Sequence, residues 1–321
     1  YLDETFSDKL ETEYVAGVDE NNVEQVLEDI IKAGADIIFC VGPQMMPNSL
    51  KVAVEHPEVY ILNCSLNAPH PYIRTYYGRM YEAKFLAGMI AGAVTDNERV
   101  AYIADYPIYG MIANINAFAL GVASVNPRAK VYLAWSKTKD YDRNKFLTEN
   151  DLHYVSDQDI ITPNDASRYF GLYKLQDGQA LNLAMPIWNW GVFYEKLLQS
   201  VLAGSYKAEG QEQVKALNYW WGMSAGVIDL ICSKHVPYGV KRLADHLKSD
   251  ITKGEVVPFF GQIYDQKGEL KNKGEHEMKP SDIMKMDWLV DNVVGSIPPM
   301  SEFVDNAKMV VELKGVEENK L

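Results

Sequence analysis

The sequence predicts an α/β protein made of two Rossmann-like lobes, each built on a parallel sheet. The chain has 321 residues, enough for two lobes of ordinary domain size. Short apolar runs alternate with segments of helical periodicity, which is typical of β-α-β units. This alternation breaks and resumes near residues 75–78, 185–187 and 257–262. We therefore expect three crossings between the lobes, with a ligand cleft between them.

Residues 72–135 show the alternation most clearly. Small and apolar residues recur at helical spacing over 81–94, and a second helix is predicted over 114–122. The apolar runs 100–104 and 131–135 are expected to be strands covered on both faces. Gly88 and Gly92 should let another backbone come close to the first helix.

The residues before this stretch predict part of the first lobe. An amphipathic helix is expected over 22–33, and strands over 35–41 and 59–64. Between these strands, Ser49 is a candidate N-cap for a helix that reaches residue 55. Residues 11–18 are read as a strand. Since a doubly wound lobe opens with a strand, a loop and a helix, we expect Tyr1 to lie inside a lobe whose first strand is missing.

The residues after 135 are less regular. Short extended pieces are expected at 153–156, 160–162 and 169–173, so the second lobe should be abbreviated. Later segments predict helices over 193–203, 238–249, 284–294 and 301–311, a strand over 215–221, and either a helix start or a core segment at 227–231. The predicted domains are 1–76 plus 187–257, then 77–186, and a C-terminal segment of 258–321.

Composition excludes some partners. The net charge is −13, which argues against nucleic acid and against an anionic membrane surface. The three cysteines lie in or beside apolar runs, which is typical of buried small residues. The six histidines are scattered without ligand spacing, so no metal and no cofactor is predicted.

Ligands of open α/β sheets bind outside the carboxyl ends of the strands. Here that rule selects loops near residues 42–46, 63–67, 106–111, 135–137, 173–176, 188–190 and 220–223. Asn114 opens the helix after one of these loops, where it could bind a ligand or only cap the helix. The candidate ligand-binding residues are Gln44, Met45, Asn63, Ser65, Tyr106, Pro107, Asn114, Trp135, Tyr173, Trp188, Trp190 and Trp221.

Tryptophans are the first candidates for stacking on a planar ligand. Trp188 and Trp190 are two residues apart, so on an extended chain they would face the same side. Trp220 and Trp221 would face opposite sides, and at most one of them would line a cleft. The alternative is that these rings pack in the core.

An enzyme interpretation rests on residues 222–226, which match the G-x-S-x-G pattern of a hydrolase nucleophile elbow. Ser224 would be the nucleophile, with His246 and Asp229 or Asp250 as partners. Such short patterns of common residues arise by chance, and we do not predict an enzyme.

Four segments carry a resemblance to a known family. They are RMYEAKFLAGMIAG at 79–92 followed by the 116–131 pattern NxFxxGxxxVNPxAKV, PIWNWG at 186–191, YWWGMSAGVIDL at 219–230, and PFFGQIYDQKG at 258–268. The chain resembles the basic membrane protein family of ABC-transporter substrate-binding proteins, which includes purine-nucleoside receptor lipoproteins. The resemblance implies a bilobal, periplasmic-binding-protein type I-like fold and non-catalytic binding of a nucleoside or nucleobase.

The resemblance also implies an ABC permease as partner and a membrane-anchored location at the cell surface. The sequence departs from the family where carboxylates are expected to hold the ribose, since Tyr173 and Leu175 stand there. Trp188 replaces a lysine on the returning strand. An alternative is therefore a ligand-sensing or structural domain of a larger cytoplasmic regulatory protein, with an N-terminal domain of the same protein as partner.

Overall fold

The computed structural model describes residues 2–66, 70–159, 168–204 and 218–315. The chain divides into two compact units. Unit 1 is Tyr1–Gly78 with Asn189–Trp221, and unit 2 is Arg79–Trp188 with Gly222–Leu321. The chain thus changes unit after Gly78, Trp188 and Trp221.

The α-helices along the described chain are α1 (Leu2–Thr5), α2 (Val23–Lys32), α3 (Met46–Glu55), α4 (Met80–Val94), α5 (Met111–Val125), α6 (Arg143–Glu149), α7 (Trp190–Leu202), α8 (Tyr238–Lys253), α9 (Pro280–Met284) and α10 (Asp305–Lys314). The strands are β1 (Ile37–Cys40), β2 (Tyr60–Cys64), β3 (Arg74–Gly78), β4 (Arg99–Ala104), β5 (Lys130–Trp135), β6 (Tyr154–Ser156), β7 (Leu172–Gln176), β8 (Gln179–Trp188), β9 (Asn218–Trp221), β10 (Ile228–Cys232), β11 (Gln262–Tyr264), β12 (Leu270–Lys273) and β13 (Val293–Val294).

Unit 1 contains a four-stranded sheet in the order β1-β2-β3-β9. All of its strand pairs are parallel. The apolar faces of α2 and α3 cover it, and Leu27, Val52, Ile38 and Ile61 belong to one hydrophobic core. Because the strands are parallel, their carboxyl ends lie along one edge of this sheet.

Two predictions in unit 1 are wrong. Residues 11–18 form no strand, and most of them are exposed. Tyr14, for example, is 86% exposed, so the segment buries too little apolar surface to hold it in a sheet. Ser49 is not an N-cap, because α3 begins at Met46, and its hydroxyl instead donates to the Met45 carbonyl at 2.8 Å.

Unit 2 contains a seven-stranded mixed sheet in the order β10-β8-β7-β6-β4-β5-β13. The strands β6, β4, β5 and β13 are parallel, as the β-α-β pattern predicted. The pairs β6–β7, β7–β8 and β8–β10 are antiparallel, which the sequence did not predict. Strands β11 and β12 form a separate hairpin.

The close approach predicted for α4 is confirmed. A Cβ added at Gly88 would lie 2.0 Å from the Phe118 carbonyl oxygen, and one added at Gly121 would lie 2.0 Å from the Phe85 carbonyl oxygen. Gly92 has a similar contact with Val122 at 2.7 Å. Helices α4 and α5 therefore pack backbone against backbone, which any side chain at these positions would prevent.

The helix predicted over 284–294 is wrong, and buried asparagines explain why. Asn116 Nδ2 donates to the Trp288 carbonyl at 2.8 Å, and the Val290 amide donates to Asn116 Oδ1 at 3.0 Å. Asn292 Nδ2 donates to the Ala119 carbonyl at 2.8 Å. These side chains occupy backbone groups that a helix would pair with each other. The segment is therefore not helical, and it leads into β13.

Other elements agree more closely with the predictions. The predicted helices over 193–203, 238–249 and 301–311 correspond to α7, α8 and α10, and strand β10 begins within the predicted region 227–231. The prediction at 160–162 lies outside the described residues. The third crossing was predicted near 257–262, whereas the chain changes unit after Trp221. The segment from Gly222 onwards stays in unit 2 because β10 pairs with β8.

No helix within the described ranges is long and apolar enough to cross a membrane. Cys40 is buried, whereas Cys64 and Cys232 are half-buried. Burial raises the pKa of the Cys40 thiol above its ordinary value, against a hydrogen bond from Ser49. Cys40 is therefore expected to be unreactive.

Candidate functional site

The predicted site residues fall in both units. Unit 1 holds Gln44, Met45, Asn63, Ser65, Trp190 and Trp221, and unit 2 holds Tyr106, Pro107, Asn114, Trp135, Tyr173 and Trp188. Whether each residue contacts a ligand stays a prediction.

The carboxyl edge of the unit 1 sheet carries two buried polar side chains. Asn63 is 0% exposed, and its Nδ2 donates to the Gly42 carbonyl at 3.0 Å. Ser65 is 2% exposed. Within the described ranges, neither Asn63 Oδ1 nor Ser65 Oγ has a hydrogen-bond partner. Burying such atoms without partners is costly, so two hydrogen-bonding positions are open at this edge.

The loop after β1 carries the predicted residues Gln44 and Met45. Met45 is 6% exposed and belongs to the apolar core under the sheet. Its side chain therefore has a packing role. Gln44, the preceding residue, is exposed. Its side chain covers Gly42, where an added Cβ would lie 2.6 Å from Gln44 Nε2.

An aromatic cluster lies in the same unit. The Trp190 ring contacts Tyr76 edge-on at 5.7 Å between centroids, and Tyr76 stacks on Phe193 at 4.7 Å. The Trp221 ring lies 5.1 Å from Phe193 and 5.3 Å from Tyr219. Trp190 and Trp221 are half-buried, whereas Tyr76 and Phe193 are buried. The cluster fixes the orientation of these two half-buried rings.

Trp188 and Trp190 do not share one face of an extended strand, so that prediction is wrong. Trp188 is the last residue of β8, where it pairs with Ile228. Trp190 is the first residue of α7 and belongs to the other unit. The chain leaves the extended conformation at Asn189, which ends the alternation of a strand.

At the carboxyl edge of the parallel strands in unit 2, carboxylates pair with basic side chains. Asp157 Oδ2 accepts a hydrogen bond from the Tyr173 hydroxyl at 2.8 Å, and Arg143 Nε lies 3.6 Å from the same oxygen. Burial raises the pKa of Asp157, while Tyr173 and Arg143 oppose that rise. Tyr173 is 0% exposed. Its hydroxyl therefore orients Asp157 within the unit.

A buried lysine lies beside this group. Lys84 is 1% exposed, and its Nζ lies 2.5 Å from Asp159 Oδ1 and 3.1 Å from Ser156 Oγ. The ammonium also lies 5.0 Å from the centroid of the Tyr102 ring. Burial raises the pKa of Asp159, and the charge of Lys84 opposes that rise. Helix α4 is thereby tied to the residues after β6.

Sequence reasoning missed this polar group, although one signal was present. Lys84 is the only charged residue between positions 83 and 94, inside an otherwise apolar helix. A charge at a position with core periodicity is expected to have a buried partner. The identity of that partner could not be read from the sequence, because Asp159 is 75 residues away.

The other predicted residues of unit 2 lie around the same strand ends. Tyr106 and Asn114 are half-buried, and Pro107 is buried. Asn114 lies in the first turn of α5, but the N-cap is Gly110 and no side chain caps the helix. Burial raises the pKa of Tyr106, with a smaller contribution from Asp105. Trp135 donates from its indole Nε1 to the Ser296 carbonyl at 2.8 Å.

The segment around Ser224 does not form a nucleophile elbow. A short 3₁₀ turn, Met223–Ala225, is followed by strand β10, whereas an elbow is followed by a helix. Glu82 accepts a hydrogen bond from the Met223 amide at 2.6 Å and lies 3.9 Å from Arg79. An added Cβ at Gly222 would lie 2.3 Å from Glu82 Oε2, so a side chain at this position would displace the carboxylate.

Within the described residues, no group of three or more His, Cys, Asp or Glu side chains could hold a metal ion. The carboxyl edges of the two sheets carry different chemical groups. Unit 1 presents an amide oxygen, a hydroxyl and aromatic rings, which suit a planar polar ligand. Unit 2 presents carboxylates that are already paired.

Solved structures similar to this chain include an ABC-transporter solute-binding protein from Conexibacter woesei. It is 16% identical, with a TM-score of 0.54, over 80% of this chain and 90% of that chain. A transcriptional activator of the comK gene from Bacillus halodurans is 14% identical, with a TM-score of 0.57, over 75% of this chain and 87% of that chain. At these identities the likeness shows the fold alone, which is shared by a solute-binding protein and a transcriptional activator.

Curated relatives are similar over longer aligned stretches. The chain is 27% identical over 311 residues to a purine-binding protein of Brucella abortus, covering 92% of this chain and 87% of that protein. It is 30% identical over 239 residues to a putative ABC transporter glucose-binding protein of Haloferax volcanii, covering 70% of this chain and 59% of that protein. The family model described as ABC transporter substrate-binding protein PnrA-like matches residues 2–169. The chain therefore belongs to the PnrA-like (basic membrane protein) family of ABC-transporter substrate-binding proteins.

Proposed function

We propose that this substrate-binding protein takes up a purine, as nucleobase or nucleoside, and passes it to an ABC permease. Proteins of this family work outside the cytoplasm. Anchoring at the cell surface, as lipoprotein members of the family are anchored, is part of the same proposal. It is tested by fractionating cells that produce the full-length protein.

The observation that carries the purine assignment is the pair of open hydrogen-bonding atoms on unit 1. Asn63 Oδ1 can accept from a ring or exocyclic N–H, and Ser65 Oγ can donate to a ring nitrogen or accept from an N–H. Both side chains are almost fully buried at the carboxyl edge of the sheet. A purine edge supplies donors and acceptors in one plane, which matches two fixed polar atoms.

The aromatic cluster supports the same ligand. Trp190 and Trp221 are held by ring contacts with neighbours and remain half-buried. Stacking of one such ring on a nucleobase is worth about 1–3 kcal/mol. Purine binding by the Brucella relative is consistent with this assignment. Because the Haloferax relative is named as a putative glucose-binding protein, glucose is the alternative ligand to test.

The test is calorimetric titration of the protein with purines and with glucose, using two serine variants. Ser65→Ala should weaken purine binding by about 0.5–1.5 kcal/mol, the usual worth of one hydrogen bond, with little change in stability. Ser49→Ala is the matched control. It removes the hydroxyl bond to Met45 inside unit 1, so it should lower stability and leave affinity unchanged. Equal affinity in the wild type and Ser65→Ala would contradict the role given to this hydroxyl.

A further inference from the structure

The side-chain amide of Asn63 in unit 1 is held in one orientation. Its Nδ2 donates to the Gly42 carbonyl at 3.0 Å, and this hydrogen bond is buried because Asn63 is 0% exposed. A flipped amide would lose the bond and would set Oδ1 against the Gly42 oxygen, so that two acceptors would face each other. The end of the amide that points away from Gly42 is therefore the oxygen.

The backbone of Asn63 is held as firmly as its side chain. Asn63 lies in β2, an inner strand of the unit 1 sheet. It is in register with Cys40 of β1 on one side and with Thr75 of β3 on the other. Moving this residue would disturb the ladder hydrogen bonds on both sides of the strand. The position of the amide oxygen is therefore fixed before any ligand arrives.

An amide oxygen accepts hydrogen bonds and cannot donate them. Asn63 Oδ1 has no partner among the residues that the structure describes. A ligand carbonyl oxygen or an unprotonated ring nitrogen placed against it would be repelled, whereas an N–H would satisfy it. The Ser65 hydroxyl is less demanding, because it can rotate to donate or to accept. Of these two polar atoms, Asn63 Oδ1 is thus the one that distinguishes between ligand groups.

We propose that Asn63 is a specificity-determining residue, which makes the protein select purines that bring an N–H to its amide oxygen and reject purines whose N–H groups are all methylated. This inference rests on the proposed function, because it assumes that a purine binds at this edge of unit 1. A fully N-methylated purine keeps the planar ring and the acceptors but has no donor for Asn63 Oδ1. Sites with a buried polar atom discriminate strongly against a ligand that leaves this atom unpaired.

The experiment is a calorimetric titration of the whole protein with hypoxanthine, with adenine, and with derivatives of each base in which one or all of the N–H groups are methylated. Each parent base should bind roughly tenfold or more tightly than its fully methylated derivative, and a derivative that keeps the N–H used by Asn63 should retain most of the affinity. Fully methylated derivatives that bind as tightly as their parent bases would overturn this inference while purine binding stands. If neither hypoxanthine nor adenine binds, the proposed function is overturned, and the inference falls with it.

A pair of asparagine variants separates the hydrogen bond from the bulk of the methyl groups. Asn63→Leu keeps a side chain of similar size but has no acceptor, so the ratio of parent to fully methylated affinity should fall towards one. Asn48→Leu is the matched control, because it also removes an amide that donates to a backbone carbonyl of unit 1, that of Glu20 at 2.6 Å. It should keep the wild-type ratio. A wild-type ratio in Asn63→Leu would assign the discrimination to methyl bulk and overturn the role of Asn63. Should Asn63→Leu not fold, the singly methylated derivatives decide, since equal losses with all of them would also indicate bulk.

Discussion

The Nζ atom of Lys84 lies 2.5 Å from Oδ1 of Asp159, and this lysine is buried to 99% in the interior of unit 2. A charge in such a position is tolerated only with a partner. The pair therefore fixes the residues after β6 against α4. Its strength can be measured by removing one partner and then both.

Lys84→Met should destabilise the protein by about 3–5 kcal/mol, because Asp159 is left without its cation. Denaturant unfolding measures the loss. The double variant Lys84→Met with Asp159→Leu should recover much of it, since no unpaired charge remains. Lys51→Met removes an exposed partner of Glu24 and should have little effect. A double variant less stable than the single one would contradict this account.

Gly88→Ala should destabilise the protein by about 1–3 kcal/mol or more, because the new methyl group would overlap the Phe118 carbonyl of α5. Gly239→Ala is the matched control. It lies near the start of α8 with no atom within 4 Å of the added Cβ, so it should be neutral or slightly stabilising. Equal thermal shifts in the two variants would contradict the close packing of α4 on α5.

The pH dependence of stability should carry a contribution from His56. Its ring lies 3.1 Å from Glu58 and 3.0 Å from Glu28, and hydrogen bonds to these carboxylates raise the pKa of the imidazole. Because the folded-state pKa is raised, the stabilising contribution of His56 is fully present below the unfolded-state pKa of about 6.5. It is lost as the pH rises through the folded-state pKa.

The measurement compares the free energy of unfolding of the wild type and His56→Gln at about pH 5.5 and about pH 8.5. The difference between the two proteins should be larger at the lower pH. A difference in unfolding free energy between the wild type and His56→Gln that grows with pH would contradict the pairing of the His56 ring with Glu28 and Glu58.

The sequence predicted the helices and parallel strands well where hydrophobic periodicity was strong. Helix α4 and strands β4 and β5 agree to within one residue of the expected bounds, because local burial dictates the pattern there. It failed at 284–294, where distant side chains, Asn116 among them, bind backbone groups that a helix would use. It also missed the pairing of Asp157 and Asp159 with cations from other elements. Such contacts depend on tertiary structure and leave no local pattern.

Trp190→Ala should weaken purine binding by about 1–3 kcal/mol if this ring stacks on the base, and Trp188→Ala is the second candidate. Trp190→Ala should also lower the melting temperature, because the ring contacts Tyr76 and Phe193. Affinity is therefore measured well below that temperature. Ser224→Ala should leave purine affinity unchanged, since the exposed Ser224 hydroxyl is not part of the proposed purine site. Unchanged affinity in both tryptophan variants would assign both rings to packing.

The most direct test of purine binding is one calorimetric comparison of hypoxanthine with glucose on the wild-type protein. The account predicts saturable binding of hypoxanthine at one site per chain and no measurable heat from glucose. Saturable binding of glucose with no response to any purine would contradict it.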